Sequence, residues 1–262
     1  MSGYSGSGTI FVSGCNLRCP LCQNWQISGG SKADGKPKTL GRRVCTEEFA
    51  SICLALQGRG AENVNIVTGS HAAPAIAQGL GAAKTAGLAI PALWNSSGYD
   101  GIASLELLDG CIGFWLPDLK TLDSALAGRF FNAPDYPQVA AEAIQWMILN
   151  KPGKVIVRHL VLPGYLESTH AVLRWFAEKA SGGAQLSLMS QYTPIKANAQ
   201  SLGPGRFLTR QEYDTVLGFL EEFGIEDGFC QDLVTGSEWL PDFRRANPFS
   251  SNLSMPIWHY AG

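Results

Sequence analysis

Six short apolar runs, each breaking into a polar or glycine-rich loop, constrain the fold of this chain more than any other feature. They cover residues 9–13, 64–68, 88–94, 112–116, 154–162 and 186–190. Each has strand length, and the stretches between them carry helical periodicity. Thr46 with Glu47 and Glu48 reads as an N-cap and acidic first turn ahead of "FASICLALQ". Residues 72–86 form a helical stretch stopped by Gly87. Residues 168–180 place Val172, Trp175, Phe176 and Lys179 at helical spacing. Thr209 and Glu212 match a capping box, and Val216, Leu217, Leu220 and Phe223 follow on one face. Strands that alternate with helices imply a parallel sheet with right-handed crossovers. Six strands are too few to close an eight-stranded barrel, so an open partial barrel and a doubly wound sheet both fit. In either, ligands gather at the carboxyl ends of the strands.

Composition narrows the class. Of 262 residues, 45% are hydrophobic and 16% charged, which favours a packed core over disorder. A formal charge of −2 gives no global field toward nucleic acid or an anionic membrane, so neither is expected as a partner. No apolar run approaches 20 residues, and the opening "MSGYSGSGTIF" lacks a basic region followed by an apolar stretch. Seven cysteines cannot all pair, so a reducing cytoplasm is the expected location.

The strand ends carry the chemistry. After the first run comes "GCNLRCPLCQN", residues 14–24, and after the second "TGSH", residues 68–71. The third is followed by "NSSG", residues 95–98, the fourth by "PDLK", residues 117–120, and the sixth by "QYTP", residues 191–194. The fifth contains Arg158 and His159. Adjacent strand residues point to opposite faces, so only one of this pair looks inward. Arg158 is the expected ligand-binding member, because its planar fork suits carboxylate or ribose oxygens. A strand histidine is more often a hydrogen-bonded structural group. The loop 28–43, with five basic residues, reads as a solvated segment, with a lid or docking element as the sharper alternative.

Cys15, Cys19 and Cys22 fall within eight residues. Three free thiols would be unusual in so tight and polar a loop. A structural zinc site wants four ligands, so Cys45 or Cys53 would have to complete it. A four-iron cluster normally takes four thiolates, and three would leave one iron open to an outside ligand.

The spacing CxxxCxxC after a first strand resembles the radical S-adenosylmethionine superfamily. Within it, the chain is most similar to the pyruvate formate-lyase activating enzyme group, in its uncharacterised iron–sulfur branch. The similarity rests on "GSGTIFVSGCNLRCPLCQNWQIS", "NVNIVTGSHAAP", "LWNSSGY", "LPDLKTLD", "VIVRHLVLPG", "SLMSQYTP" and the tail "EWLPDFRRANPFS…PIWHY". It spans essentially the whole chain. It implies an α/β fold, a partial (β/α)6 TIM-like barrel, in one domain over residues 1–262. The core would lie at about 9–195, with a C-terminal helix and covering segment at about 205–262.

The resemblance implies that Cys15, Cys19 and Cys22 ligate a [4Fe-4S] cluster. It further implies that S-adenosylmethionine is cleaved reductively to a 5′-deoxyadenosyl radical, which abstracts hydrogen from a substrate. Thr68, Gly69 and Ser70 match the segment that meets the methionine amino group, without its usual glutamate. Asn95 and Ser96 match a pair near the ribose or methionine end. Asp118 and Lys120 match an Asp-x-Lys motif, in which Lys120 pairs with the methionine carboxylate and Asp118 holds Lys120. Arg158 matches a cofactor-binding arginine. Tyr192 stands where the activating enzyme has a histidine near the adenine, and Leu21 where an aromatic often precedes the third cysteine. The branch often begins with an extra cysteine-containing segment that this chain lacks, and no CxxC-type insertion for further clusters is present, so one cluster is expected. An electron donor such as flavodoxin or ferredoxin is implied, and a glycyl-radical protein is a candidate substrate. A small-molecule substrate, a zinc-binding structural protein and a simple electron carrier are the alternatives. Trp239, Phe243, Phe249, Trp258 and Tyr260 in the tail are expected to pack against the barrel, or to cover its mouth.

Overall fold

A computed structural model describes residues 5–29, 32–33, 36–37, 39–195, 203–238, 240–249 and 254–261. Seven strands form one sheet: β1 (Gly8–Phe11), β2 (Val64–Val67), β3 (Ala92–Ser96), β4 (Ile112–Pro117), β5 (Val155–Leu160), β6 (Ala184–Met189) and β7 (Gly228–Cys230). They lie side by side in chain order, and every neighbouring pair is parallel. A doubly wound sheet reverses its strand order at a switch point. None occurs here, so the fold is an open, partial TIM-like barrel, with β1 and β7 as the outermost strands.

The helices are α1 (Trp25–Ser28), α2 (Thr46–Gly58), α3 (Ala73–Thr85), α4 (Ile102–Leu108), α5 (Ser124–Phe131), α6 (Tyr136–Asn150), α7 (Leu166–Lys179) and α8 (Arg210–Glu222). They bury Phe49, Leu80, Leu105, Phe130, Ile144, Phe176 and Val216 against a sheet that supplies Ile66, Trp94, Trp115, Val157 and Leu186. Gly79 in α3 lets Phe49 of α2 approach, since a Cβ there would sit 2.5 Å from its ring. α8 begins at the expected capping box, with Glu212 N donating to Thr209 Oγ1 at 3.2 Å and Thr209 N to Glu212 Oε2 at 3.0 Å.

Three local expectations are revised. The seventh strand, β7, adds to the six runs. The third run starts late, at Ala92, because residue 88 still closes α3 (Leu88 N to Ala83 O, 2.9 Å). Thr46 is the first residue of α2 rather than its cap, and Cys45 caps with extended backbone and no side-chain bond. Helices α4, α5 and α6 fill the middle of the chain, where Asp123 caps α5 through bonds from Ala125 N and Leu126 N at 2.7 and 3.0 Å. In the 28–43 segment, Lys32–Ala33 pairs antiparallel with Lys36–Pro37, and its other central residues lie outside the described set.

The tail returns to the first strand. Phe243 and Phe249 pack on Phe11 of β1, with ring centroids 5.1 and 5.8 Å away. Gln26 of α1 donates to Asp242 Oδ1 at 2.9 Å and accepts from Phe243 N at 2.6 Å. Trp258 donates to Glu48 of α2 at 3.2 Å. These aromatics cover the β1 edge, and Trp239 lies outside the described residues. No helix among the described residues is long and apolar enough to cross a membrane.

Candidate functional site

The cysteine loop leaves β1 through Ser13 and Gly14. Gly14 has a φ of +97°, and a Cβ there would lie 2.7 Å from His71 Nε2. His71 itself bonds Ser13 O at 2.9 Å, so the "TGSH" end of β2 braces the start of the loop. Asn16 donates to Tyr99 O at 2.7 Å, and Asn132 donates to Arg18 O at 2.8 Å, tying the loop to the β3 and α5 ends. Turns close it, with Cys22 N donating to Cys19 O and Trp25 N to Cys22 O. Leu17 and Leu21 anchor it from below.

Cys15, Cys19 and Cys22 are free thiols, all partly accessible. Burial raises the pKa of Cys19 and Cys22, and each neighbouring thiolate adds to it, whereas Lys120 lowers it. Cys19 and Cys22 therefore share one electrostatic neighbourhood with Cys15 and Lys120. Ser28 Oγ is buried beside Cys22 and favours its thiolate. Among the described residues, no group of three His, Cys, Asp or Glu side chains is gathered to hold a metal ion. One zinc would draw its sulfurs around a common point about 2.3 Å from each. A cluster gives each thiolate its own iron. Cys53 is fully buried in the α2 core and Cys45 is exposed at its start, so neither belongs to the loop's neighbourhood.

Across the mouth, Asp118 joins two cations. Arg158 donates to Asp118 Oδ1 from Nε and a terminal nitrogen at 2.8 and 2.6 Å, and Lys120 Nζ lies 2.5 Å from Oδ2. Burial alone would raise the Asp118 carboxyl, but Arg158 and Lys120 outweigh it and hold it below its ordinary value. Burial alone would lower Lys120, but Asp118 and then Cys19 outweigh it and raise it. Arg158 and His159 point opposite ways. His159 is buried against α7, its Nδ1 bonding Leu119 O at 2.7 Å and its Nε2 Thr169 Oγ1 at 3.0 Å.

The remaining expected residues divide. Gly69 lets Trp94 pack closely, a Cβ there meeting the indole at 2.7 Å. Asn95 is partly exposed, whereas Ser96 is 2% exposed with its hydroxyl donating to Asp100 and accepting from Gly98 N at 3.1 Å. Tyr192 is also 2% exposed and donates to Pro204 O at 2.8 Å, while Leu21 lies under the same 203–204 segment. Thus Ser96 and Tyr192 have their polar atoms committed to the protein, whereas Asp118, Lys120 and Arg158 are gathered with the thiols.

Two residues escaped the sequence reading. Asp100 is buried beneath the β2 and β3 ends, and burial raises its carboxyl against hydroxyls from Ser96 and Ser70 and the Trp94 indole. Tyr136 is buried under the Asp-x-Lys turn. Its hydroxyl lies 2.7 Å from Asp118 O and 2.8 Å from Ser97 O, and accepts from Lys120 N at 3.0 Å. A strand-end position hinted at Asp100, but no local signal marks Tyr136.

No family model matches the chain. It is 28% identical over 223 residues to an uncharacterized protein of Methanocaldococcus jannaschii, covering 84% of this chain and 63% of that protein. Its fold is shared with Streptococcus suis SuiB bound to S-adenosylmethionine, at 14% identity and a TM-score of 0.60, covering 87% of this chain and 51% of SuiB. SuiB bound to its precursor peptide SuiA gives 14% identity and a TM-score of 0.60, covering 86% and 49%. The chain thus spans about half the length of SuiB and under two thirds of the curated relative.

Proposed function

We propose that this chain is a radical S-adenosylmethionine enzyme. The carrying observation is that one loop at the first strand end presents three thiols, and Lys120 of the Asp118–Lys120–Arg158 network faces them. Cys15, Cys19 and Cys22 would hold a [4Fe-4S] cluster, and the donor set fits: three thiols, a hydroxyl aimed at one of them, and a cation beside another. When bound, such a cluster and S-adenosylmethionine together supply a one-electron cleavage of the sulfonium, giving methionine and a 5′-deoxyadenosyl radical that takes hydrogen from a substrate.

The chain's own residues position and screen. Lys120, held charged by Asp118, offers an ammonium to a carboxylate such as that of methionine, and Arg158 offers a fork to a second oxygen pair. Gly69 and Ser70 present backbone at the β2 end, and Asn95 an amide at the β3 end, where an amino group or ribose can be met. Leu21 and Tyr192 would support the purine from behind the 203–204 segment, which both pack against. The electron comes from a donor such as flavodoxin or ferredoxin. The substrate favoured is a protein loop bearing the glycine of a glycyl-radical enzyme, because the barrel is open between β1 and β7, and SuiB of the same fold has a peptide-bound structure. A reduced cytoplasm suits seven free cysteines.

Anaerobic loading with iron and sulfide should give a brown protein that converts S-adenosylmethionine to 5′-deoxyadenosine under reduction. A fully iron- and sulfide-loaded sample that forms no 5′-deoxyadenosine would overturn the reading.

A further inference from the structure

The two edges of the barrel are treated differently. The tail covers β1 through Phe243 and Phe249. All three residues of β7 are exposed, and Phe229 is 51% exposed. β7 pairs with β6 in the register Leu186–Gly228, Ser187–Phe229 and Leu188–Cys230, and Gln231 N donates to Leu188 O at 3.0 Å. Backbone groups alternate along a strand, so Phe229 and Gln231 bond inward to β6. Gly228 and Cys230 therefore aim their N–H and C=O groups outward.

The side chains of this edge connect to the site. Parallel register places Asp118, Arg158, Ser187 and Phe229 in one row across β4 to β7. Cys230 points the other way, its sulfur 3.8 Å from the Tyr213 hydroxyl of α8, so Phe229 faces the interior of the barrel. The carboxyl end of β7 reaches the cysteine loop by hydrogen bonds. Gln231 Nε2 donates to Gln191 Oε1 at 3.0 Å, and Gln23, next to Cys22, donates to Gln191 O at 3.0 Å.

We infer that the outer edge of β7 docks an extended, basic peptide segment of a protein substrate as an eighth parallel strand. One side chain of that strand would extend the row beyond Phe229, and the residues after it would emerge at the mouth beside Cys22. Strand addition of this kind takes its affinity from main-chain bonds and its selectivity from alternate side chains. The sign of the charge selects the occupant. Residues 221–238 hold six acidic residues and no basic one, with Glu226, Asp227 and Asp232 exposed beside the strand. A second copy would set acid against acid, whereas lysine or arginine in a partner would be complementary. The inference deepens the proposed function by assigning a peptide as the substrate class, and it rests on that reading only for what happens at the mouth.

The test is binding, which needs neither cluster nor reductant. Two fluorescein-labelled decapeptides, one alternating Lys with Val and one alternating Glu with Val, are titrated with the full chain and followed by anisotropy. The Lys–Val peptide should bind, and the Glu–Val peptide should not. Cys230→Pro removes an outward N–H while leaving the bonds of Phe229 and Gln231 to β6, and should weaken binding about tenfold. Cys230→Ala should bind as the parent does, and Glu226→Lys with Asp227→Lys should also lose about tenfold. Circular dichroism checks that the Pro variant is folded, and where it is not, the Glu226→Lys with Asp227→Lys variant decides, equal binding by it overturning the inference. Absence of Lys–Val binding, equal binding by the folded Pro variant, or a dimer that the Pro variant abolishes would each overturn the inference. Failure of 5′-deoxyadenosine formation would leave these outcomes untouched, so the two readings fail separately.

Discussion

Asp118 and Arg158 sit on adjacent strands, joined by two hydrogen bonds to a single carboxylate oxygen and by a backbone bridge between the same two residues. The second carboxylate oxygen is left for Lys120. Asp118 is thus the common counter-charge of the two cations that the proposed cofactor site requires. Asp118→Asn should destabilise the fold by about 3 kcal/mol, since removing one member of a largely buried ion network leaves the others uncompensated. Urea denaturation measures this. In the loaded protein the same variant should weaken S-adenosylmethionine binding about tenfold in equilibrium dialysis, because Lys120 loses its partner.

Cysteine substitutions separate the loop from the rest of the chain. Alanine at Cys15, Cys19 or Cys22 should abolish iron and sulfide retention after anaerobic loading. Cys53→Ala should retain iron and cost about 1 kcal/mol of stability through lost packing. Cys45→Ala should change neither quantity. Iron loss in the Cys45 or Cys53 variant would return the site to a four-ligand metal centre.

Gly98 turns the β3 end under the Asp-x-Lys segment. It has a φ of +77°, and a Cβ there would lie 2.1 Å from Asp118 O. Gly98→Ala should cost about 3 kcal/mol, combining left-handed strain with displacement of backbone. Ser97→Ala, beside it, should cost far less, and thermal melts of the pair distinguish the turn from general crowding.

Two groups give acid sensitivity in different windows. Burial holds the His159 imidazole down to about 4, with Nδ1–H donating to Leu119 O and Nε2 accepting from the Thr169 hydroxyl. The unfolded chain protonates this residue near 6.5 and the folded chain resists, so stability falls as pH drops from about 6.5 to about 4, by about 3 kcal/mol at most. Hydrogen bonds from Arg206 first, with Thr209 and Gly164, bring Glu212 to about 2. A depressed carboxylate stabilises above its unfolded value and loses that contribution as pH falls from about 4.5 toward 2. Unfolding free energy measured from pH 7 to 3 should decline in both ranges. His159→Phe should flatten the upper decline, and Glu212→Gln the lower.

The fold was legible in the sequence where its period and the burial agree. Alternation in "VIVRHL" was enough to send Arg158 and His159 to opposite faces, because burial on both sides of β5 leaves no register to slip. Chain order did not reveal β7, since "GFC" is three exposed residues with no apolar rhythm, and it becomes a strand only through its bonds to β6. Tyr136 and Asp100 lay beyond reach for a related reason. Tyr136 matters for what it touches 16 to 39 residues back, and Asp100 for gathering hydroxyls from two strand ends, and no local pattern encodes either. Ser96 shows the converse. Its strand-end position suggested a ligand contact, yet its hydroxyl is taken by Asp100 four residues on.

The clasp between Gln26 and residues 242–243 has a consequence in time. Two of its hydrogen bonds span 216 and 217 residues. β1 and the loop after it are synthesised 216 residues ahead of the groups that fasten them. Closure over the long intervening loop carries an entropic cost that only completed neighbouring structure can offset. β1 and the cysteine loop are therefore secured late in folding, whatever the order of synthesis.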